Sequence, residues 1–171
     1  DITVNTGNIA DCNGKNAGGW KEWTPICHWG YSGIFNGQGH TVSGLYCKCS
    51  DTYTGFFGYL NGGKILNVGV ENSYFYSNND NAYVGGICGY VYSGDIKNCY
   101  KNGTISAEIS SNGSSGGICG SIYDSGNITN CFNTGSVNGS NVGAVCGYKG
   151  NGKIENSFYL ENCLGSCSNI S

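Results

Sequence analysis

The chain contains no arginine. Its eight basic residues are all lysines, scattered over 171 residues, and the net charge is −3. Proteins that track nucleic-acid phosphates need a basic stripe, so nucleic acid is not an expected partner. Charged residues make up 11% of the chain, against about 25% in an ordinary globular domain. Proline occurs once, at Pro25. No apolar run approaches the roughly 20 residues that a membrane-crossing helix needs, so no membrane span is expected. No window keeps a 3.6-residue apolar period, which leaves little room for helices. No secretory signal is expected among these residues, and Asp1-Ile2-Thr3-Val4 reads as a mature amino terminus or as a trimmed start.

Glycine is abundant instead, at 31 residues, and it recurs in phase. Val84-Gly85-Gly86-Ile87-Cys88-Gly89-Tyr90 returns as Gly116-Gly117-Ile118-Cys119-Gly120-Ser121 and as Val142-Gly143-Ala144-Val145-Cys146-Gly147-Tyr148. An earlier, diverged copy is Thr54-Gly55-Phe56-Phe57-Gly58-Tyr59. The last glycines fall at 58, 89, 120 and 147, giving steps of 31, 31 and 27. A second motif keeps step: Gly63-Lys64-Ile65-Leu66-Asn67, Gly94-Asp95-Ile96-Lys97-Asn98, Gly126-Asn127-Ile128-Thr129-Asn130 and Gly152-Lys153-Ile154-Glu155-Asn156. A third, weaker element follows at Gly103-Thr104-Ile105 and Gly135-Ser136-Val137.

Short runs of Ile, Val, Tyr and Phe between Gly, Asn and Ser read as strands. A fixed period in this range marks a stacked repeat. Three short strands per period predict an all-β parallel β-solenoid, with about 30 residues per coil and equivalent residues stacked in columns. One domain covers 1–171. Residues 1–50 form an amino-terminal cap and opening coil, 51–157 the repeat coils, and 158–171 a cysteine-containing carboxyl-terminal cap. Asn67, Asn98, Asn130 and Asn156 form the most regular polar column, and stacked asparagines hydrogen-bond along such a column as a structural ladder.

Eleven cysteines in so small a chain suggest an oxidising compartment. Cys88 with Cys99, and Cys119 with Cys131, occupy the first and second motifs of single coils, where Phe57 and Val68 stand in the coil before. These positions are read as disulfides Cys88–Cys99 and Cys119–Cys131. The alternative is a column of buried free thiols, since cysteine packs as a small hydrophobe. Cys146 faces Ser157 in its own coil and would look to Cys163 or Cys167. The odd count leaves one thiol free or available to a second chain.

Phe35-Asn36-Gly37-Gln38-Gly39-His40-Thr41-Val42-Ser43-Gly44-Leu45 resembles the opening coil of GLUG-repeat proteins, and the later GGICG and Ile-x-Asn-Cys-Tyr copies resemble the GLUG repeats themselves. The resemblance covers roughly residues 20–160. It implies a right-handed parallel β-helix and a secreted or cell-surface setting, as in microbial adhesins and the stalks of IgA-cleaving metallopeptidases. The peptidase zinc motif His-Glu-x-x-His is absent, so the resemblance does not carry peptidase activity. The many cysteines depart from the family pattern.

Nothing clusters into an evident catalytic centre. His28 and His40 are the only histidines. Cys27-His28 and Cys47-Lys48-Cys49 lack the usual spacings of a zinc site, so no metal or other cofactor is expected. The acids are single and do not repeat from coil to coil, whereas polysaccharide cleavage needs a pair on one face. Trp20, Trp23 and Trp29 could stack on sugar rings, although their first reading is a cap over the open end of the solenoid. Sequons at Asn102, Asn112, Asn127, Asn138 and Asn169 are candidate N-glycosylation sites, no more numerous than composition alone gives.

The leading expectation is therefore a non-enzymatic extracellular structural or adhesive protein. End-to-end self-association is expected through Asp1–Asn5, a strand with no evident partner in the repeat. A carbohydrate-binding module using the tryptophans and surface tyrosines is the alternative. An enzyme on a β-helix scaffold ranks last.

Overall fold

A computed structural model describes residues 1–10, 12, 19–108 and 112–163. The chain winds into about four coils of a parallel β-solenoid, each near 31 residues. Three sheets make its faces. The first holds Ile34–Asn36, Phe57–Leu66, Cys88–Lys97, Cys119–Thr129, and then Cys146–Lys149 with Lys153–Glu155. The second holds Thr41–Ser43 with Tyr46–Cys49, Gly69–Ser77, Tyr100–Ala107, Phe132–Asn133 with Ser136–Asn138, and Phe158–Tyr159. The third is narrow: Tyr53–Thr54, Tyr83–Gly85, Ser114–Gly116 and Val142–Gly143. Each coil thus contributes a segment to each of the three sheets, and in the middle coils the strands of the first two sheets are longer than expected, at 8–11 residues.

The repeat motifs are explained by where they fall. Gly-Gly-Ile-Cys-Gly turns the corner from the narrow sheet into the first sheet. There Gly85 packs against backbone: a Cβ would run into the Cys88 carbonyl and sit 2.7 Å from the Gly120 amide nitrogen of the next coil. Only glycine lets coils approach this closely. Ile87 and Ile118 of the same corner point inward and are buried. At the opposite corner Asn67, Asn98, Asn130 and Asn156 all take left-handed backbone, with φ of 53°, 54°, 54° and 47°. Asparagine tolerates that region better than other non-glycine residues. Its amides then run up the stack: Asn130 Nδ2 donates to Asn98 Oδ1 at 3.1 Å, Asn98 to Asn67 at 2.8 Å, and Asn67 to Asn36 at 3.0 Å. The expected ladder exists from Asn67 to Asn130 and gains a rung, Asn36, from the opening coil; Asn156 shares the left-handed turn but no side-chain hydrogen bond joins it to Asn130.

Inside, in-register columns fill the core: Leu60, Val91 and Ile122; Ile65, Ile96 and Ile128; Phe75, Ile105 and Val137. One column carries a polar intruder. Val70 is followed by Lys101 and then Asn133. Lys101 is fully buried, and its ammonium donates to the Gly103 carbonyl at 2.7 Å and to Ser136 O at 3.3 Å. Burial pulls its pKa down to about 7, an effect the nearby Cys163 partly offsets.

The disulfide expectation is corrected. Cys88, Cys99, Cys119, Cys131 and Cys146 are free thiols in this structure. Cys88 and Cys99 lie at opposite ends of the extended strand Cys88–Lys97, and Cys119 and Cys131 flank Cys119–Thr129 in the same way. Two α-carbons more than about 7 Å apart are not bridged without backbone movement. The register instead stacks Cys88, Cys119 and Cys146 along one column. Their thiols donate to carbonyls two residues on in the same strands: Tyr90, Ser121 and Tyr148. Cys146 therefore does not reach toward Cys163, and Cys167 lies outside the described residues. The amino-terminal strand is corrected as well: Ile2–Thr3 pairs in parallel with Val42 and Ser43 of its own chain.

Candidate functional site

The corner between the narrow sheet and the first sheet carries tyrosines on its outer surface. Tyr53 and Tyr83 are in-register neighbours of the narrow sheet, and their rings stack 6.1 Å apart at 18°. Tyr59 and Tyr90 are in-register neighbours of the first sheet, 5.4 Å apart and edge to face. The two pairs interlock, with Tyr53–Tyr90 at 5.2 Å and Tyr83–Tyr90 at 5.0 Å. Tyr90 then contacts Tyr123 at 6.2 Å. Such ring pairs add stability beyond area burial while keeping the phenol oxygens at the surface.

The third coil breaks this pattern. The register sets Ser114 beside Tyr83 and Ser121 beside Tyr90, and Tyr148 follows Ser121 one coil later. Two rings are thus replaced by two hydroxymethyl groups within an otherwise aromatic row. The space left open is a cavity of about 450 Å³, within the size range of small-molecule sites. Ser114 and Ser121 form its buried floor, Tyr83, Tyr123 and Tyr148 its walls, and Asn112 and Asn141 its polar rim. Tyr123 and Tyr148 are each 56% exposed, so their faces are available to a ligand. Burial and neighbouring phenols push the Tyr90 and Tyr83 pKa values up, keeping both hydroxyls neutral as donors and acceptors. At the other end of the row, Tyr53 shares a second depression with Trp29, His28, Asp51 and Thr52. The whole forms an aromatic groove along the solenoid axis.

The tryptophans divide. Trp20 packs on Tyr46 at 5.7 Å and donates to the Thr6 carbonyl. Trp23 stacks on Phe56 at 5.7 Å and donates to its carbonyl. Both are half-buried: Trp23 packs against the main core at the amino-terminal end, and Trp20 against the separate cluster of Ile9, Tyr46 and Tyr74. Trp29 is 93% exposed and stands at the end of the groove. Among the sequons, Asn112 and Asn138 are exposed. Asn102 and Asn127 are half-buried: the Asn102 side-chain oxygen accepts from the Asn72 amide, and Asn127 donates to Asp95 at 3.1 Å. Asn169 lies outside the described residues.

The groove had a sequence signature that motif counting passes over. The glycine closing each first motif is followed by tyrosine at 59, 90 and 148, and by serine only at 121. The exception, not the rule, marks the cavity.

A family model described as the GLUG motif matches residues 80–106 and 111–138, the coil before the serine gap and the coil that carries it. No curated protein matches the chain. Among solved structures, an immunoglobulin A1 protease candidate from Bacteroides ovatus superposes with a TM-score of 0.60 at 24% identity, over 86% of this chain and 67% of that one. Likeness at that identity carries the fold alone.

Proposed function

Because this chain carries GLUG repeats on a parallel β-helix, we propose that it is a non-enzymatic extracellular structural and adhesive module that holds a glycan chain in its tyrosine groove. The extracellular setting follows the company that GLUG repeats keep. The observation that carries the binding role is the serine gap in the aromatic row, bounded by the exposed faces of Tyr123 and Tyr148. Neutral phenols offer flat apolar faces to the C–H surfaces of a sugar and hydroxyls to its oxygens. The rim amides of Asn112 and Asn141 add orienting polar groups.

A glycan array followed by affinity electrophoresis in soluble polysaccharides tests this. Retardation by at least one polysaccharide is expected, lost in the double variant Tyr123→Ala, Tyr148→Ala with the unfolding temperature unchanged. Binding that survives the double variant, or no binding to any glycan, overturns the reading. Release of reducing ends from a bound polysaccharide would overturn the non-enzymatic part.

Self-association is the second reading. It is favoured by Phe158, Tyr159 and Leu160, an exposed apolar edge on the final coil, and unpaired strand edges invite pairing. Light scattering should show concentration-dependent growth of the intact chain that Phe158→Lys abolishes.

A further inference from the structure

Two thiols differ from the buried columns. Cys47 and Cys49 lie two residues apart in the strand Tyr46–Cys49, so both side chains point to the same face. Their sulfurs are 3.1 Å apart, and the Cys49 sulfur is also 3.1 Å from the Thr54 hydroxyl. Cys47 is buried against the core, whereas Cys49 is only partly covered. The strand explains the difference. It belongs to the first coil and, among the described residues, pairs along its length with Gly69–Ser77 alone, Cys47 beside Phe75 and Cys49 beside Ser77, with a single bridge on its other side, from Glu22 to Tyr46. Cys88, Cys99, Cys119 and Cys131 lie deeper, each fully buried.

We propose that Cys47 and Cys49 form a thiol–disulfide exchange site, with Cys49 as the attacking sulfur and Cys47 as the resolving one. The co-substrate is a low-molecular-weight disulfide of the glutathione or cystine class, RSSR. The Cys49 thiolate attacks one sulfur of RSSR, forming Cys49–S–SR and releasing RS⁻. The Cys47 thiol then loses its proton and attacks the Cys49 sulfur, and the second RS⁻ leaves. The balance is two protein thiols and RSSR giving one Cys47–Cys49 disulfide and two RSH; a reducing dithiol runs it backwards.

The electrostatics assign the same roles. The Cys47 thiol's hydrogen bond pulls Cys49 down to about 7, against the opposing cost of burial, with help from Thr54 and the Asp51 amide. Cys47 is pushed well up, because it is the hydrogen-bond donor of the pair and is buried. The Asp51 carboxylate opposes ionisation of both sulfurs, and Glu22 opposes that of Cys47.

The test uses the full chain, oxidised glutathione at pH 7, and peptide mapping by mass spectrometry, with the exposed Cys27 as internal reference. In the unsubstituted chain a Cys47–Cys49 link should accumulate while no glutathione adduct persists on Cys49. In Cys47→Ser, where the serine hydroxyl takes over the hydrogen bond to Cys49, the adduct should be trapped on Cys49, forming about tenfold faster than on Cys27 despite the poorer access, because rate follows thiolate fraction. In Cys49→Ser, Cys47 should stay unmodified. Thr54→Val, which keeps both thiols, should slow the Cys49 reaction severalfold and stands in should either cysteine variant unfold. A persistent Cys49 adduct in the unsubstituted chain overturns the proposal. So does a Cys49 rate no greater than that of Cys27.

Discussion

The asparagine corner and the tyrosine corner are both columns repeated from coil to coil, yet they do opposite things with their polar groups. At the first, each amide donates to the one before it, from Asn130 through Asn98 and Asn67 to Asn36, with rungs of 2.8–3.1 Å. The hydrogen-bonding capacity is spent within the column. At the second, contact runs through ring faces and edges, and the hydroxyls stay available. Its two columns also each lack a ring in the third coil, at Ser114 and at Ser121. Repetition alone therefore says nothing about binding. A column becomes a surface for ligands where its own members leave contacts unmade.

The largest effect should come from breaking the self-satisfied corner. Asn98→Ala removes a donor and an acceptor from the ladder and places a Cβ-bearing residue that lacks asparagine's tolerance at φ 54°; we expect a loss of about 2–4 kcal/mol in chemical unfolding. Asn98→Gly keeps the backbone comfortable and should recover about 1 kcal/mol of that. If both variants lose the same amount, the ladder and not the turn supplies the stability.

A buried column in which polar groups are only partly compensated should respond to pH. Lys101 has a folded pKa of about 7, below its unfolded value. Above pH 7 the folded state releases a proton that the unfolded state keeps, so stability from this group rises with pH and falls as pH drops through 7. Relative to Lys101→Met, the unsubstituted chain should gain about 1.5 kcal/mol between pH 7 and 8.5. Parallel pH profiles of the two proteins in urea unfolding would remove Lys101 from this role.

Ser121→Tyr sharpens the comparison from the other side. It restores a ring between Tyr90 and Tyr148 and should turn the open column into a closed one. Thermal unfolding should shift upward by the equivalent of about 0.5–1 kcal/mol, and polysaccharide retardation should disappear. The smallest effect belongs to Tyr123→Ala alone: within about 0.5 kcal/mol in stability for so exposed a side chain, with weakened binding as its only clear signature.

Periodicity made the scaffold readable. The 31-residue steps predict stacked coils, and the asparagine column predicts a ladder, because in-register stacking turns sequence distance directly into neighbourhood. The same rule explains what was misread. Cys88 and Cys99 share a coil but not a column; the strand Cys88–Lys97 holds them apart, while Cys119 stands directly beside Cys88. Reading across a coil requires knowing where the chain bends, and short-range spacing does not reveal that. Ile2–Thr3 found its partner inside the chain because the opening coil supplies Thr41–Ser43 as a free edge. The groove was legible only as an exception, one serine where three tyrosines stand, and its floor also needed Ser114, which lies outside any motif.

The in-register stacking of whole coils has a consequence for how such a molecule changes size. Every coil meets its neighbours through the same corners and the same columns, so duplicating one unit of about 31 residues between Asn67 and Asn98 would lengthen the rod by one strand spacing, about 4.8 Å, and leave its cross-section untouched. Length is therefore quantised and nearly free to vary, whereas girth is locked by the glycine corners. A lineage, or an engineer, can set how far the groove reaches from the amino-terminal end by counting units, with no new kind of residue in the groove.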